Sequence, residues 1–408
     1  MTEIGEIPEE WEAKPLSKVA TYINGMAFKP SEWRNSGIPI VRIENLNSIN
    51  ASFNYYQGKF DSRYLLGNGE ILLSWSASLG VYIWNRGKAL LNQHIFKVIP
   101  VENVSKQFLF WVLHKAVENL SQTTHGSTMK HFKKGQLEKT LIWLPPLPEQ
   151  QKIAEILATA DDEIQKVDEQ ITLTEQFKKG LMQRLLTRGI GHTKFKMTEI
   201  GEIPEEWEIK KIKDISTYVT DGTHKTPHYI EEAQSGVPFI STENIKPYSN
   251  EFDFSRYKRY IDEISYKELS KRAKPEKGDL LISKCGTIGR TQLIRNDIKI
   301  GIFVGLLLVK IKNNTVSGQY FEDLLNSDKY RTIMESISPG STRKTLAIGM
   351  FKNILIPLPP LQEQQKIAEI LTTVDNKLEL LGNKREKLNV LKKGLMDDLL
   401  TGKVRVKV

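Results

Sequence analysis

The side chains able to do chemistry do not stand in the arrangements that chemistry needs. A GxxxxGK[ST] loop would cradle the phosphates of a nucleoside triphosphate, but Gly87-Lys88 is followed by Ala89 and lacks the upstream glycine. No NPPY or DPPY motif of an amino-methyltransferase occurs. Pro145-Pro146 and Pro359-Pro360 lie in LPPL, where they read as the entry to a helix. Glu12-Ala13-Lys14 and Glu208-Ile209-Lys210 fit the E-x-K half of a nuclease metal site, yet no aspartate precedes the first. His224 and His228 are separated by Pro227 among others, which breaks the helix that would align them as metal ligands. His125 and His131 have no acidic or thiol companion. The single cysteine, Cys285, excludes an internal disulfide and a cysteine-built zinc site. The expectation is a chain with no catalytic constellation, no metal and no cofactor of its own.

Charge points elsewhere. Of the 408 residues, 58 are Lys or Arg and 49 Asp or Glu, a net charge of +9. Residues 13–143 hold 16 basic against 7 acidic residues, and residues 209–357 hold 24 against 17. Two separate basic blocks favour a polyanionic partner. The longest apolar run, Ile300 to Val309, falls far short of the ~20 residues that span a bilayer. The acidic opening MTEIGEIPEEWE is unlike a signal peptide. A cytoplasmic location is expected.

Internal repeats set the organisation. MTEIGEIPEEWE at 1–12 returns unchanged at 197–208, and LPPLPEQQKIAEILAT at 144–159 returns as LPPLQEQQKIAEILTT at 358–373. KKGLM at 178–182 recurs at 392–396, and GSTMK at 126–130 matches GSTRK at 340–344. Within the interiors only islands agree, such as GIPIVRIENL with GVPFISTENI and GEILLSWSASLG with GDLLISKCGTIG. One unit is duplicated in tandem. The shared scaffold and divergent interiors suggest two recognition surfaces for two targets.

Each interior reads as α+β. IPIVRI, EILLSW and HIFKVI are expected strands in the first copy, as are VPFIST, DLLISK and FVGLLLVKI in the second. A helix is expected near Gln107–Leu120 and its counterpart near Ser317–Ser336. After each PPL comes a long helix. Ile153, Leu157, Ala160, Ile164, Val167, Ile171 and Thr174 follow the 4,3 spacing of a coiled-coil seam. Ile367, Leu371, Val374, Leu378, Leu381, Arg385 and Leu388 do the same in the second copy. Phe177/Leu181/Leu185 and Leu391/Leu395/Leu399 continue the stripe with a one-position shift. Two matching stripes in one chain favour pairing with each other; if the pair is antiparallel, the two domains sit at opposite ends and are related by an approximate two-fold axis.

Taken together, two variable basic domains, each closed by a GST-x-K turn, an LPPLxEQQKIAEIL entry and a long helix, resemble the specificity subunit of type I restriction-modification systems. The resemblance covers essentially the whole chain. It implies two mixed α/β target recognition domains, residues 1–143 and 197–357, each reading half of a bipartite site in double-stranded DNA. They are separated by long helices, residues 144–196 and 358–408, that form an antiparallel coiled coil with pseudo-two-fold symmetry. It further implies two methyltransferase subunits docked on the helices and two restriction/motor subunits. Those partners use S-adenosylmethionine, ATP and Mg²⁺. Alternatives are the recognition subunit of a related restriction system, a stand-alone DNA-binding coiled-coil protein, an enzyme with a disguised site, or a coiled-coil scaffold with no DNA role.

Under this resemblance, phosphate contacts hold each domain and base-edge contacts specify sequence. Ser127, Thr128, Lys130, Lys133 and Lys134 cluster at the first GST turn, and Ser341, Thr342, Arg343 and Lys344 at the second. A glycine turn admits the phosphate, hydroxyls and N–H groups bind it, and lysine adds charge; Arg343 could instead read guanine. Ser76 and Ser78, and Lys284 and Thr287, lie in matching strand-end loops. Lys29 and Lys225 lie in matching glycine-containing loops. All are candidates to face DNA.

Overall fold

The computed structural model describes residues 8–76, 78–123, 134–231, 236–255, 257–340 and 344–407. It divides into two compact units, the first Met1–Asp168 with Asn383–Val408, the second Glu169–Gly382. Each unit therefore holds one repeat interior and half of each long helix.

The two interiors are built alike. In the first unit, strands Ala20–Asn24, Ile95–Pro100, Glu70–Ser74 and Gly80–Trp84 form an antiparallel sheet in that order. Strands Asn54–Tyr56, Ile38–Val41, Ala89–Leu91 and Leu65–Leu66 form a second sheet, in which Ile38–Val41 and Ala89–Leu91 are parallel. In the second unit the sheets are Ser216–Asp221, Leu306–Ile311, Leu280–Ser283, Thr291–Leu293 and Tyr229–Ile230, Tyr260–Ile261, Val237–Ile240, Gly301–Ile302. The last two strands are again the parallel pair. The strands expected from the sequence are all present, and the mixed α/β class holds.

The central strand of each first sheet is buried on both faces, and its alternation assigns residues to two cores. Ile71 and Leu73 pack with Phe108, Leu109 and Val112 of the helix Lys106–Thr123. Leu72 packs with Val41, Leu66 and Leu91 between the sheets. Leu280 and Ile282 likewise join Tyr320, Phe321 and Leu324, while Leu281 joins Ile240, Ile302 and Leu308. The helix expected over Ser317–Ser336 is instead two, Gly318–Asn326 and Asp328–Ser336. Ser327 is extended (φ −64°, ψ 149°), and its hydroxyl accepts from the Tyr330 amide, so it starts a new helix.

The long helices are Leu147–Arg188 and Leu361–Leu400. Their repeated entry motif is explained by contacts within each unit. The buried Gln150 side chain accepts from the Ser105 amide (2.8 Å) and donates to the Asn103 and Pro145 carbonyls. Gln364 accepts from the Ser317 amide (2.9 Å) and donates to the Thr315 and Pro359 carbonyls. The neighbouring glutamates take the repeated tryptophans: Trp11 Nε1 donates to Glu149 (3.0 Å) and Trp207 Nε1 to Glu363 (2.9 Å). Arg405 completes Glu149, and His192 completes Glu363.

In the first unit Ile153, Ala154 and Leu157 pack with Met396, Leu399 and Leu400. Asp161 pairs with Lys392 and Asp168 with Arg385, so ascending one helix descends the other. In the second unit Met182, Leu185 and Leu186 meet Ile367, Ala368 and Leu371. The expected one-position shift of the stripe is corrected. Phe177 is 62% and Leu391 54% exposed, and the seam runs on unshifted through Lys178 and Lys392. Lys178 is buried because its ammonium meets Asp375 at 2.5 Å and the Tyr248 ring at 3.3 Å. Lys392 likewise lies over Trp111. A charged seam residue is retained where a fixed partner repays its desolvation.

Removing one member of such a pair strands the other. Lys178→Met should lower the stability of the chain by about 3 kcal/mol, because Asp375 is left buried and unpaired. Adding Asp375→Leu should recover most of that loss. Denaturant unfolding of the two variants checks this; equal stability of both single and double variants would show the pair is not coupled.

Candidate nucleic-acid interface

The loops singled out in the sequence are assembled by three backbone devices, of which the first two recur in both units. First, the central strand ends in a loop closed by its last serine. The Ser74 hydroxyl donates to the Ser78 carbonyl, and the Ser283 hydroxyl to the Thr287 carbonyl at 2.5 Å. Second, a glycine follows the first strand of each sheet where chains nearly touch. A Cβ at Gly25 would lie 2.1 Å from the Asn92 carbonyl oxygen, and one at Gly222 2.2 Å from that of Ile302. Only glycine allows the bridges Met26–Asn92 and Thr223–Phe303 that follow. Third, in the second unit the segment after the GST turn is tied to the strand-end loop. Thr345 bridges Cys285, and the Leu346 amide donates to the Lys284 carbonyl at 2.8 Å. Segments 221–225, 283–287 and 344–345 are thereby drawn together.

Within this frame Lys29 is exposed at the start of the turn Pro30–Glu32, its amide donating to Glu32. Ser76 is buried, and Ser78 is half-buried with its amide on the Ser76 carbonyl. Lys225, Thr287 and Lys344 are exposed. Lys134 opens the helix Lys134–Lys139. Ser127, Thr128, Lys130, Lys133, Ser341, Thr342 and Arg343 lie outside the described residues.

Lys284 differs from the other lysines. Its ammonium lies 2.5 Å from Asp221, a carboxylate only 3% exposed, which also pairs with Arg272 and sits 3.2 Å from His224. Burial alone would push the Asp221 carboxyl up. The hydrogen bonds from Lys284 and Arg272 outweigh it and hold the group down at about 2. In the first unit the equivalent positions carry Asn24 and Trp75, and Trp75 stacks on Phe96 at 5.9 Å and lies 5.5 Å from His94. One loop frame thus carries an ionic cluster in one unit and an aromatic cluster in the other. Sequence reasoning missed Asp221 and Arg272 as partners; the joint change from Asn24/Trp75 to Asp221/Lys284 between the repeats was the available signal.

In the second unit these segments border a cleft of about 740 Å³, whose walls include Arg259, Lys284 and Lys344 along with Glu243. Of the remaining chemistry considered from sequence, His125 and His131 lie outside the described residues, and the E-x-K pairs and His224 are engaged in local pairing. Glu12 binds Lys14 and Glu208 binds Lys210 along surface strands, and His224 serves Asp221. Among the described residues no group of three or more His, Cys, Asp or Glu is placed to hold a metal. No described helix is long and apolar enough to cross a membrane.

Residues 8–175 and 204–390 each match the type I restriction modification DNA specificity domain. The MjaVIII specificity subunit of Methanocaldococcus jannaschii is 29% identical, over 98% of this chain and 94% of that protein. The putative MjaX specificity subunit of the same organism is 30% identical over 100% and 96%. The EcoBI specificity subunit of Escherichia coli is 25% identical over 98% and 87%. The crystal structure of a type I restriction-modification S subunit from M. genitalium shares the fold at a TM-score of 0.57 and 14% identity, covering 98% of both chains. A chain from a type I restriction-modification assembly does so at 0.55 and 18%, covering 98% of this chain and all of that one. Both repeat interiors, with the helix entries that anchor them, thus match one domain, and the chain belongs to the family of type I restriction-modification specificity subunits.

Proposed function

We propose that this chain is the non-catalytic DNA-recognition subunit of a type I restriction-modification complex in the cytoplasm. The block 13–143 reads one half of a bipartite site and 209–357 the other. The segments 144–196 and 358–408 set the spacing and dock two methyltransferase subunits. Two restriction/motor subunits complete the assembly, and S-adenosylmethionine, ATP and Mg²⁺ are used by those partners. The observation that carries this reading is the contrast within one frame. Gly25/Gly222 and Ser74/Ser283 repeat, while Asn24/Trp75 and Asp221/Lys284 differ at the same places. A scaffold that keeps its backbone devices and changes its loop side chains suits two targets. Lys29, Lys225 and Lys344, with the lysines of the first GST turn, supply phosphate contacts. Ser76, Ser78 and Thr287 lie at the strand-end loops, and Lys284 forms a wall rather than a free charge.

The test is modular. The purified chain alone should neither methylate nor cleave DNA, and should direct methylation once its methyltransferase subunits are added. Replacing residues 13–143 by the block of a related protein should then change one half of the methylated motif. A change in both halves would contradict independent reading by the two blocks.

Spacing is tested separately. Seven residues inserted in each helix near Ile171 and its counterpart keep the 4,3 seam and add about 10 Å of helix. At 3.4 Å per base pair the gap between half-sites should lengthen by roughly three base pairs. Sequencing of methylated DNA reads this directly, and an active variant with an unchanged gap would show that the helices do not measure it.

The Asp221 cluster has its own pH signature. Its folded carboxyl titrates below the ordinary value of 3.8, so the stability it contributes is complete above that value and lost as pH falls towards 2. Asp221→Asn should cost about 2 kcal/mol at pH 7. The deficit relative to the wild-type chain should shrink steadily between pH 4 and 2 in unfolding experiments. A deficit independent of pH would show that lost packing, not lost charge pairing, is responsible.

A further inference from the structure

We propose that Arg259 is the residue by which the second recognition domain reads a guanine in its half-site, an assignment that rests on the DNA-recognition role above. The argument starts from which polar groups in the cleft have hydrogen-bonding capacity left. Lys284 is held by Asp221. Glu243 accepts from the hydroxyls of Ser241 (2.7 Å) and Thr242 (3.2 Å). Lys344 is exposed with no ion pair among the described residues, but an ammonium is a point charge suited to phosphate. Among the described residues of the cleft, Arg259 alone combines charge, a planar fork and unspent donors. Its guanidinium lies 4.9 Å over the Tyr229 ring and 5.5 Å from that of Tyr257. One N–H donates to the Tyr229 hydroxyl at 3.3 Å, and its other donors make no hydrogen bond among the described residues, although the charge of Arg259 acts on Glu243.

The placement is preorganised. The Arg259 carbonyl accepts from the Phe239 amide at 2.9 Å, which fixes its Cα against the strand Val237–Ile240. The two tyrosines then limit the fork, so little rotamer entropy remains to be lost on binding. The carboxylate of Glu243 in the same cleft repels a phosphate and directs the arginine towards a base edge. In the major groove guanine offers two acceptors, O6 and N7, matched to two parallel N–H donors, whereas adenine places a donor beside its N7.

The first unit also stacks a guanidinium beside the equivalent glutamate, from another place in the chain and with one N–H donated to Asn54 at 2.9 Å. Arg42 lies 4.8 Å over the Trp33 ring and 3.1 Å from Glu44. Glu44-Asn45 and Glu243-Asn244 belong to the same repeated island, and each asparagine accepts from the amide three residues before it, that of Arg42 or Ser241. The second unit thus has serine where the first has its arginine, and supplies a stacked guanidinium from residue 259 instead. A guanidinium kept beside that glutamate, although its chain position changed, points to a need for the fork itself.

The experiment uses the full chain co-expressed with its methyltransferase subunits, and reads methylated adenines across the genome. Arg259→Lys keeps the charge and removes the fork. It should reduce discrimination at one guanine of one half-site by roughly five- to 150-fold and leave the other half intact. Arg42→Lys should leave that guanine untouched. An unchanged motif in Arg259→Lys and Arg259→Ala overturns the assignment, as does a uniform fall in methylation with no change in sequence preference. Thermal unfolding of the lysine variant guards against a folding defect in the alanine one. A wild-type assembly that marks no split motif overturns the recognition role itself, and the assignment with it.

Discussion

A glutamine side chain, buried at the start of each long helix, holds recognition domain and helix in one piece. Gln150 and Gln364 each satisfy one amide and two carbonyls at the turn where the chain leaves the domain. Those backbone groups have no sheet or helix partner, and an orphaned buried group costs about 1–3 kcal/mol. Alanine at either position would therefore leave three such groups to be satisfied otherwise. Because the bonds end on residues on both sides of the junction, the helix direction is fixed to the domain it leaves. The neighbouring glutamate ties in the opening strand through tryptophan, which explains why EIPEEWE and PPLxEQQ recur together although they lie far apart in sequence.

The helix pairing depends on a related balance. An apolar seam by itself favours several registers, whereas a charged residue at one seam position tolerates only the register that supplies its partner. Lys178 with Asp375 and Lys392 with Asp161 fill this role at equivalent places in the repeat. Asp375 shows the cost: burial pushes its carboxyl up even though Lys178 is in contact. Asp323, fully buried near the same lysine, is pushed up further by burial and by the adjacent Glu322. Only Glu322 has a guanidinium of its own, from Arg295. The second unit thus carries more buried carboxylate around its seam lysine than the first, where Trp111 occupies that side.

Much of this was legible in the sequence because it depends on periodicity. The strands followed from two-residue alternation, the long helices from 4,3 spacing, and the duplication from near-identical segments. The seam error came from reading polarity as exposure, and the helix error from a missed cap. Phe177 and Leu391 continued the apolar stripe on paper, yet Lys178 and Lys392 occupy the seam because their stems are apolar and their ammonium groups are paired. Ser327 looked like an ordinary helical residue but caps a new helix. The partner of Lys284 was not legible either: only the fold shows Asp221, far away in sequence, beside it. Periodicity carries no information about such a pair.

The same reasoning explains how one frame can hold two reading surfaces. Each strand-end loop is closed by a serine hydroxyl on a backbone carbonyl, and each glycine crossing by backbone contact. None of these bonds uses the side chain at position 75 or 284, so tryptophan and lysine are both accommodated there. The side chain is still constrained by its own burial: lysine needs the Asp221 carboxylate beside it, while tryptophan packs against Phe96 and His94. Change at these loops therefore proceeds by clusters rather than single residues. A transplanted Lys284 without Asp221 would bring an unpaired charge into a largely buried site, whereas the exposed positions around the cleft, Arg259 and Lys344, could change one at a time without disturbing the frame.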